Sequence, residues 1–161
     1  MSLDRDIALF ARVPLFEGLS ADHLRLLAFS AVRLELKGGS VLFEKGADAR
    51  SGFVVARGAI ELIEGSGDAR RVVALCPAGT LIGEMALFVE TTRPATAVAL
   101  GETQIIELGG AAVMRMVREY PQVAERLYAR LAGRLAGTVN ELTALRAVFP
   151  PSATDLSSRQ G

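Results

Sequence analysis

Gly83-Glu84-Met85-Ala86-Leu87-Phe88, followed after a short spacer by Arg93-Pro94-Ala95-Thr96-Ala97, interrupts a long series of strand-like segments. The rest of the chain is organised around this stretch. A glycine and a carboxylate open a short apolar turn of helical character, and a lone arginine returns just before a β-branched segment begins. The first residues of a helix leave backbone N–H groups unpaired and carry the positive end of the helix dipole, so an anion placed there gains donors without a lysine. Met85, Ala86 and Leu87 offer such N–H groups, and Arg93 adds a formal charge on a planar fork that matches two phosphate oxygens. Glu84 accepts hydrogen bonds only, so beside an anion it suits a neighbouring hydroxyl such as a ribose carries. Gly83 permits close backbone approach to whatever binds.

On both sides of this stretch the hydrophobic period is two. Val32-Arg33-Leu34-Glu35-Leu36 alternates cleanly and Ile60-Glu61-Leu62-Ile63-Glu64 in part, the pattern of half-buried strands. Val41-Leu42-Phe43, Phe53-Val54-Val55, Val72-Val73-Ala74-Leu75, Thr80-Leu81-Ile82, Ala95-Thr96-Ala97-Val98 and Gln104-Ile105-Ile106 complete about eight short strands. Gly38-Gly39, Gly46, Gly58, Gly65-Ser66-Gly67-Asp68 and Pro77-Ala78-Gly79 supply the turns. Regularly spaced short strands imply a sandwich or barrel, and an eight-stranded antiparallel jelly roll closes it. The predicted fold is mainly β with flanking helices, and the anion site lies inside the roll sequence, where the strand pattern lapses between Ile82 and Ala95.

The flanks have helical period. Residues 4 to 30 read as two helices broken at Pro14 and Gly18, with Ser20 as N-cap of the second, Asp22 in its first turn and Leu19 placed to staple onto Leu24. After Leu108 a helix spans Gly110 to Glu119, and Pro121 opens another that extends to about Val148, roughly 40 Å at about 1.5 Å per residue. Tyr128, Leu131, Leu135, Thr138, Leu142, Leu145 and Phe149 alternate steps of three and four along it, a coiled-coil-like seam suited to a homodimer through residues 128–149. The chain thus divides into N-terminal helices (1–31), the roll (32–108), C-terminal helices (109–149) and a polar, proline-initiated tail (150–161) expected to be disordered.

Half of the 161 residues are hydrophobic, and 18 basic residues balance 18 acidic ones, so bulk charge does not favour nucleic acid and direct DNA binding is not expected. A single cysteine, Cys76, excludes an internal disulfide and a multi-cysteine metal site, which suits a reducing cytoplasm. No apolar run approaches the roughly 20 residues that span a bilayer, and the amino terminus lacks signal-peptide order. A single histidine, His23, cannot supply the clustered ligands of a metal-dependent jelly-roll enzyme or a hydrolytic triad, so no catalytic residue, metal or cofactor is expected.

Gly83-Glu84-Met85-Ala86-Leu87, the spacer and Arg93-x-Ala95-Thr96, together with the glycine-punctuated strands upstream, resemble the phosphate-binding cassette of the cyclic nucleotide-binding domain family. That family comprises catabolite-activator-type regulators, kinase regulatory subunits and gated channels, and the resemblance runs from about Leu15 to about Leu145. It implies a cAMP or cGMP ligand, its phosphate held by Arg93, Ala95, Met85 and Ala86 and its ribose by Gly83 and Glu84. Thr138, seventeen residues after Pro121, falls where a hydroxyl on the long helix contacts the base, with Val73 and Arg134 as further base-contacting residues. Pro94 departs from the pattern: it has neither the N–H nor the hydroxyl that the residue after the arginine contributes, which removes one donor. Threonine there accompanies guanine preference, so its absence tilts the expectation towards cAMP.

The resulting expectation is a regulatory module that reports occupancy to an effector protein through its C-terminal helices. The alternatives are a roll that has lost its ligand and serves as an interaction domain, or the sensor half of a transcription regulator. Only about a dozen residues follow the long helix, too few for a helix-turn-helix.

Overall fold

The structure of the protein is a computed structural model that describes residues 3–134 and Phe149. The predicted tail, 150–161, and the middle of the predicted seam, including Thr138, lie outside the described residues. Helix α1 (Leu3–Ala11) leads through a 3₁₀ turn (Pro14–Phe16) to α2 (Ala21–Ser30). As predicted, Ser20 caps α2, its Oγ accepting from the His23 N–H at 3.2 Å.

Ten strands follow: β1 (Val32–Leu36), β2 (Val41–Phe43), β3 (Asp48–Ala49), β4 (Ser51–Arg57), β5 (Ala59–Glu64), β6 (Arg71–Pro77), β7 (Leu81–Ile82), β8 (Thr91–Thr92), β9 (Thr96–Ala99) and β10 (Thr103–Gly109). Eight form two antiparallel four-stranded sheets, ordered β1-β10-β4-β7 and β2-β9-β5-β6, and β3 and β8 make a separate two-stranded pair. The jelly-roll expectation therefore holds for the two main sheets. The extra pair escapes sequence reading because two-residue strands carry no period. One of them, β8, sits within the stretch where the strand pattern lapses.

Two apolar layers fix the roll. Phe53, Val55, Ile60, Cys76, Ile82, Ala97, Ala99 and Ile105 fill the space between the sheets. Val54, Ile106 and Leu108 face the other way and pack with Phe10, Phe16, Leu24 and Leu27 of the N-terminal segment and Val113, Met116 and Val117 beyond the roll. Strands β4 and β10 are thus covered on both faces, which is why Phe53-Val54-Val55 and Ile105-Ile106 read as apolar runs rather than alternations.

At the end of β10, α3 (Gly110–Glu119) begins against the anion-site stretch. The Gly110 N–H donates to the Arg50 carbonyl at 2.9 Å, and a Cβ there would lie 3.1 Å from the Ala86 carbonyl oxygen. Helix α4 opens at Pro121 and is described to Arg134. Of the predicted seam, Leu131 is fully buried in the chain's own core, and Tyr128 packs on Phe149, whose ring lies 5.2 Å from that of Phe88. These seam residues pack on their own roll; Leu135, Thr138, Leu142 and Leu145 lie outside the described residues.

Candidate functional site

Arg93 is the centre of the site. It emerges from β8, and its backbone is clamped to the β2–β3 connection: its N–H donates to the Ala47 carbonyl at 2.9 Å and its carbonyl accepts from the Gly46 N–H at 2.8 Å. The residue is 5% exposed. Its guanidinium carbon lies 4.5 Å from the ring centre of Phe43 and 5.1 Å from that of Phe53, rings contributed by β2 and β4 of the two facing sheets. Nη2 donates to Ser51 Oγ at 3.4 Å, and Ser51 Oγ donates in turn to Glu107 Oε2 at 2.8 Å. Nη1 is buried without a hydrogen-bond partner, and none of the ion pairs among the described residues involves Arg93.

A buried cation in this state is energetically incomplete. Taking an ion out of water costs several kcal/mol even after relaxation. A desolvated cation–π contact returns about 2 kcal/mol, and one long hydrogen bond returns less. Burial accordingly lowers the Arg93 pKa, with the negative charge of Glu107 opposing the shift.

Gly83 lies beside this guanidinium. It adopts φ 77°, ψ 38°, the left-handed region that favours glycine. A Cβ at Gly83 would lie 2.5 Å from Arg93 Nη1, so glycine is required both by its conformation and by the guanidinium behind it. The turn that follows, Glu84–Leu87, is one four-residue 3₁₀ turn rather than an α-helix, and a single turn has little macrodipole. The Ala86 N–H donates to the Gly83 carbonyl at 3.1 Å. The donor expected from Ala86 therefore closes the turn in this conformation. Glu84 is half-buried at the first position of the turn, with Oε2 inaccessible to solvent.

Comparison with known proteins identifies a family: residues 33–120, just over half of the chain, match the cyclic nucleotide-binding domain. The chain belongs to the cyclic nucleotide-binding domain family. It is 34% identical over 133 residues to the cyclic AMP receptor protein of Thermus thermophilus, covering 82% of this chain and 62% of that one. It is 31% identical over 125 residues to a cAMP-dependent protein kinase regulatory subunit of Mycosarcoma maydis, covering 78% of this chain and 22% of the relative. The chain thus spans about three fifths of one curated relative and about a fifth of the other. Among solved structures, the N-terminal domain of a transcriptional regulator from Streptomyces coelicolor superposes with a TM-score of 0.73 at 31% identity, over 79% of this chain and 90% of that one.

Within the cyclic nucleotide-binding fold, the structure brings Arg93 and Gly83 into contact and stacks the turn 84–87 beside them. Ala95 is buried at the entry to β9, and Pro94 is exposed. Val73 lies on β6, an edge strand of the sheet opposite β4 and β10, and is 44% exposed. No hydrogen bond or ring contact among the described residues ties it to Arg93. Arg134 ends the described part of α4, where only its backbone is described, and Thr138 lies outside. Four residues around the guanidinium were not singled out from the sequence: Phe43, Ser51, Phe53 and Glu107. Their signal was present in the strand phase. Ser51 and Glu107 share the inward face of β4 and β10 with Phe53, Val55 and Ile105, so each places a polar group where its neighbours are apolar.

Among the described residues no group of three or more histidine, cysteine or carboxylate side chains could hold a metal, and no helix is long and apolar enough to cross a membrane.

Proposed function

We propose that the domain binds a 3′,5′-cyclic nucleotide, cAMP in preference to cGMP, with the cyclic phosphate on Arg93 and the ribose hydroxyl on Glu84. The observation that carries this reading is the buried guanidinium with an unsatisfied Nη1 facing the glycine of the turn. A phosphodiester supplies the missing charge and acceptors together. Met85 and Ala95 border the phosphate position, Ala86 helps as its amide leaves the Gly83 carbonyl, and Val73, Arg134 and Thr138 contact the base. The family match and the similarity to a cyclic AMP receptor protein support the ligand class. The absence of threonine at Pro94 supports adenine over guanine.

In this reading the chain is a binding module rather than an enzyme, cytoplasmic, with residues 32–108 receiving the ligand and residues 109–149 reporting occupancy to an effector or to a second copy. Differential contact with ligand in two states is what drives such reporting. Titration calorimetry with cAMP and cGMP tests the site. Arg93→Ala is expected to weaken binding by about 2–4 kcal/mol, roughly 30- to 1,000-fold; wild-type heats from that variant remove Arg93 from the site.

Pro94 favours a second reading, a roll that retains the fold as an interaction domain without ligand, since it contributes no N–H. Thermal melting separates the two. Ligand at 100 times its dissociation constant adds about 2.7 kcal/mol to a binding domain and nothing to an interaction domain that binds no nucleotide.

A further inference from the structure

Arg93 is held in place by a relay whose members come from two other strands. Ser51 opens β4 and Glu107 lies on β10, where Glu107 pairs with Phe53 and Ser51 with Gly109, so the two side chains meet diagonally on the inward face of one antiparallel pair. The direction of their hydrogen bonds follows from their chemistry. An ionised carboxylate accepts only, so the single Ser51 proton goes to Glu107 Oε2 at 2.8 Å. The serine lone pairs are thereby turned towards Arg93 Nη2, 3.4 Å away.

The interposed serine also sets a distance. A carboxylate in direct contact with the guanidinium would neutralise it and compete with an anionic ligand for its fork. With Ser51 between them, Glu107 stays outside ion-pair range yet opposes the effect of burial on Arg93. Phe43 and Phe53 cover the guanidinium but exert no preference for rotation in its own plane, so the Ser51 contact selects which nitrogen is tied and which, Nη1, is presented beside Gly83.

We propose that Ser51 and Glu107 are positioning residues for anion binding: Glu107 orients the Ser51 hydroxyl, and Ser51 anchors Nη2 so that Nη1 and Nε of Arg93 are delivered to the cyclic phosphate. This inference rests on the cyclic nucleotide reading for its ligand, and on the contacts among Glu107, Ser51 and Arg93 for its geometry.

Two measurements test it. The first needs no ligand: the Arg93 Nε–Hε resonance of the isotopically labelled full chain is expected to be sharp and slow to exchange with water, and to broaden or exchange at least several-fold faster in Ser51→Ala and Glu107→Gln. Ser51→Thr, which keeps the hydroxyl, restores the wild-type signal. An Arg93 resonance unchanged in both variants overturns the proposal, whether or not nucleotide binds. The second is calorimetric titration with cAMP: Ser51→Ala is expected to weaken binding about five- to tenfold, in the range of one hydrogen bond to a charged group, with recovery in Ser51→Thr. In an Arg93→Ala background the same substitution is expected to change nothing further. An equal loss in both backgrounds overturns the positioning role while leaving the site itself intact. Wild-type chain that binds neither cAMP nor cGMP overturns the functional reading instead, and the resonance of Arg93 then decides the relay alone.

Discussion

Asp6 and Arg93 are equally buried, each 5% exposed, and differ in what stands opposite. The Asp6 carboxylate meets the Arg33 guanidinium in a direct ion pair that fastens α1 to β1. Arg93 meets two aromatic rings, a serine shared with Glu107 and, at Nη1, no hydrogen-bond partner. A charge buried with its counter-charge is part of the architecture, whereas a charge buried without one is a standing cost that folding alone does not explain. The difference singles out Arg93, and not Asp6, as the candidate for contact with a ligand.

Substitution at the two cations gives the largest contrast. Arg33→Met strands the Asp6 carboxylate, and removing one partner of a buried pair costs about 3–5 kcal/mol. Because the Arg33 side chain is 35% exposed, the loss expected from urea denaturation is about 2–3 kcal/mol, discounted for solvent screening, with nucleotide affinity unchanged. Arg93→Met replaces an uncompensated cation by an apolar chain of similar length, so stability is expected to stay level or rise by about 1 kcal/mol while cyclic nucleotide binding is lost. Equal destabilisation by both variants would break the comparison, because it would mean that Arg93 is as well compensated as Arg33.

The two regions were also unequally legible in the sequence. The helical cover was readable at once: Ser20 caps α2, Pro14 and Gly18 punctuate, and Pro121 opens α4, because caps and breakers act over a few neighbouring residues. The proximity of Gly83 to Arg93 was suggested by local chemistry too, and the two residues do lie side by side. The surroundings of Arg93 were not readable, since Phe43, Ser51, Phe53 and Glu107 come from β2, β4 and β10, and only sheet pairing gathers them. A strand-phase argument would have found Ser51 and Glu107 as polar groups on an inward face, but the phase of β10 is obscured by an irregular register between Gln104 and Ile105 and by burial of its other face. The eight strands of the two main sheets were legible, and only the additional pair was not, because β3 and β8 have two residues each. The short helical turn expected at 84–87 is present as a single 3₁₀ turn, in which the Ala86 N–H is used for the turn's own closure.

Gly83→Ala sharpens the comparison at a smaller scale. A side chain at φ 77° costs about 1 kcal/mol, and the new methyl would stand 2.5 Å from Arg93 Nη1, so the guanidinium must move. The expected result is a loss of about 1–2 kcal/mol in stability and about tenfold in nucleotide affinity, against no change in affinity for Gly39→Ala, a positive-φ glycine with open space around its Cβ position. If the two glycine variants bind nucleotide alike, the approach to Nη1 is not through Gly83.

Cys76 completes the comparison as the buried titratable group that avoids the cost by staying neutral. It sits between the sheets at 6% exposure, and burial pushes its thiol above the ordinary value of 9.0. Below pH 9 the thiol is protonated in folded and unfolded chains alike, and its packing contribution is fully present. As pH rises past 9.0 the unfolded chain ionises first while the folded chain holds its proton, so stability falls until the raised folded value is passed, with a limiting slope of about 1.4 kcal/mol per pH unit for one group. Tyrosine and lysine titrate in the same interval, so the informative quantity is the difference between wild type and Cys76→Ala in urea denaturation at pH 7, 9 and 10.5 under reducing conditions. The alanine variant is expected to begin less stable through its small cavity and to lose less on going alkaline, so that the gap narrows with pH. Parallel curves would mean that water reaches Cys76 between the sheets and that burial does not hold its thiol neutral.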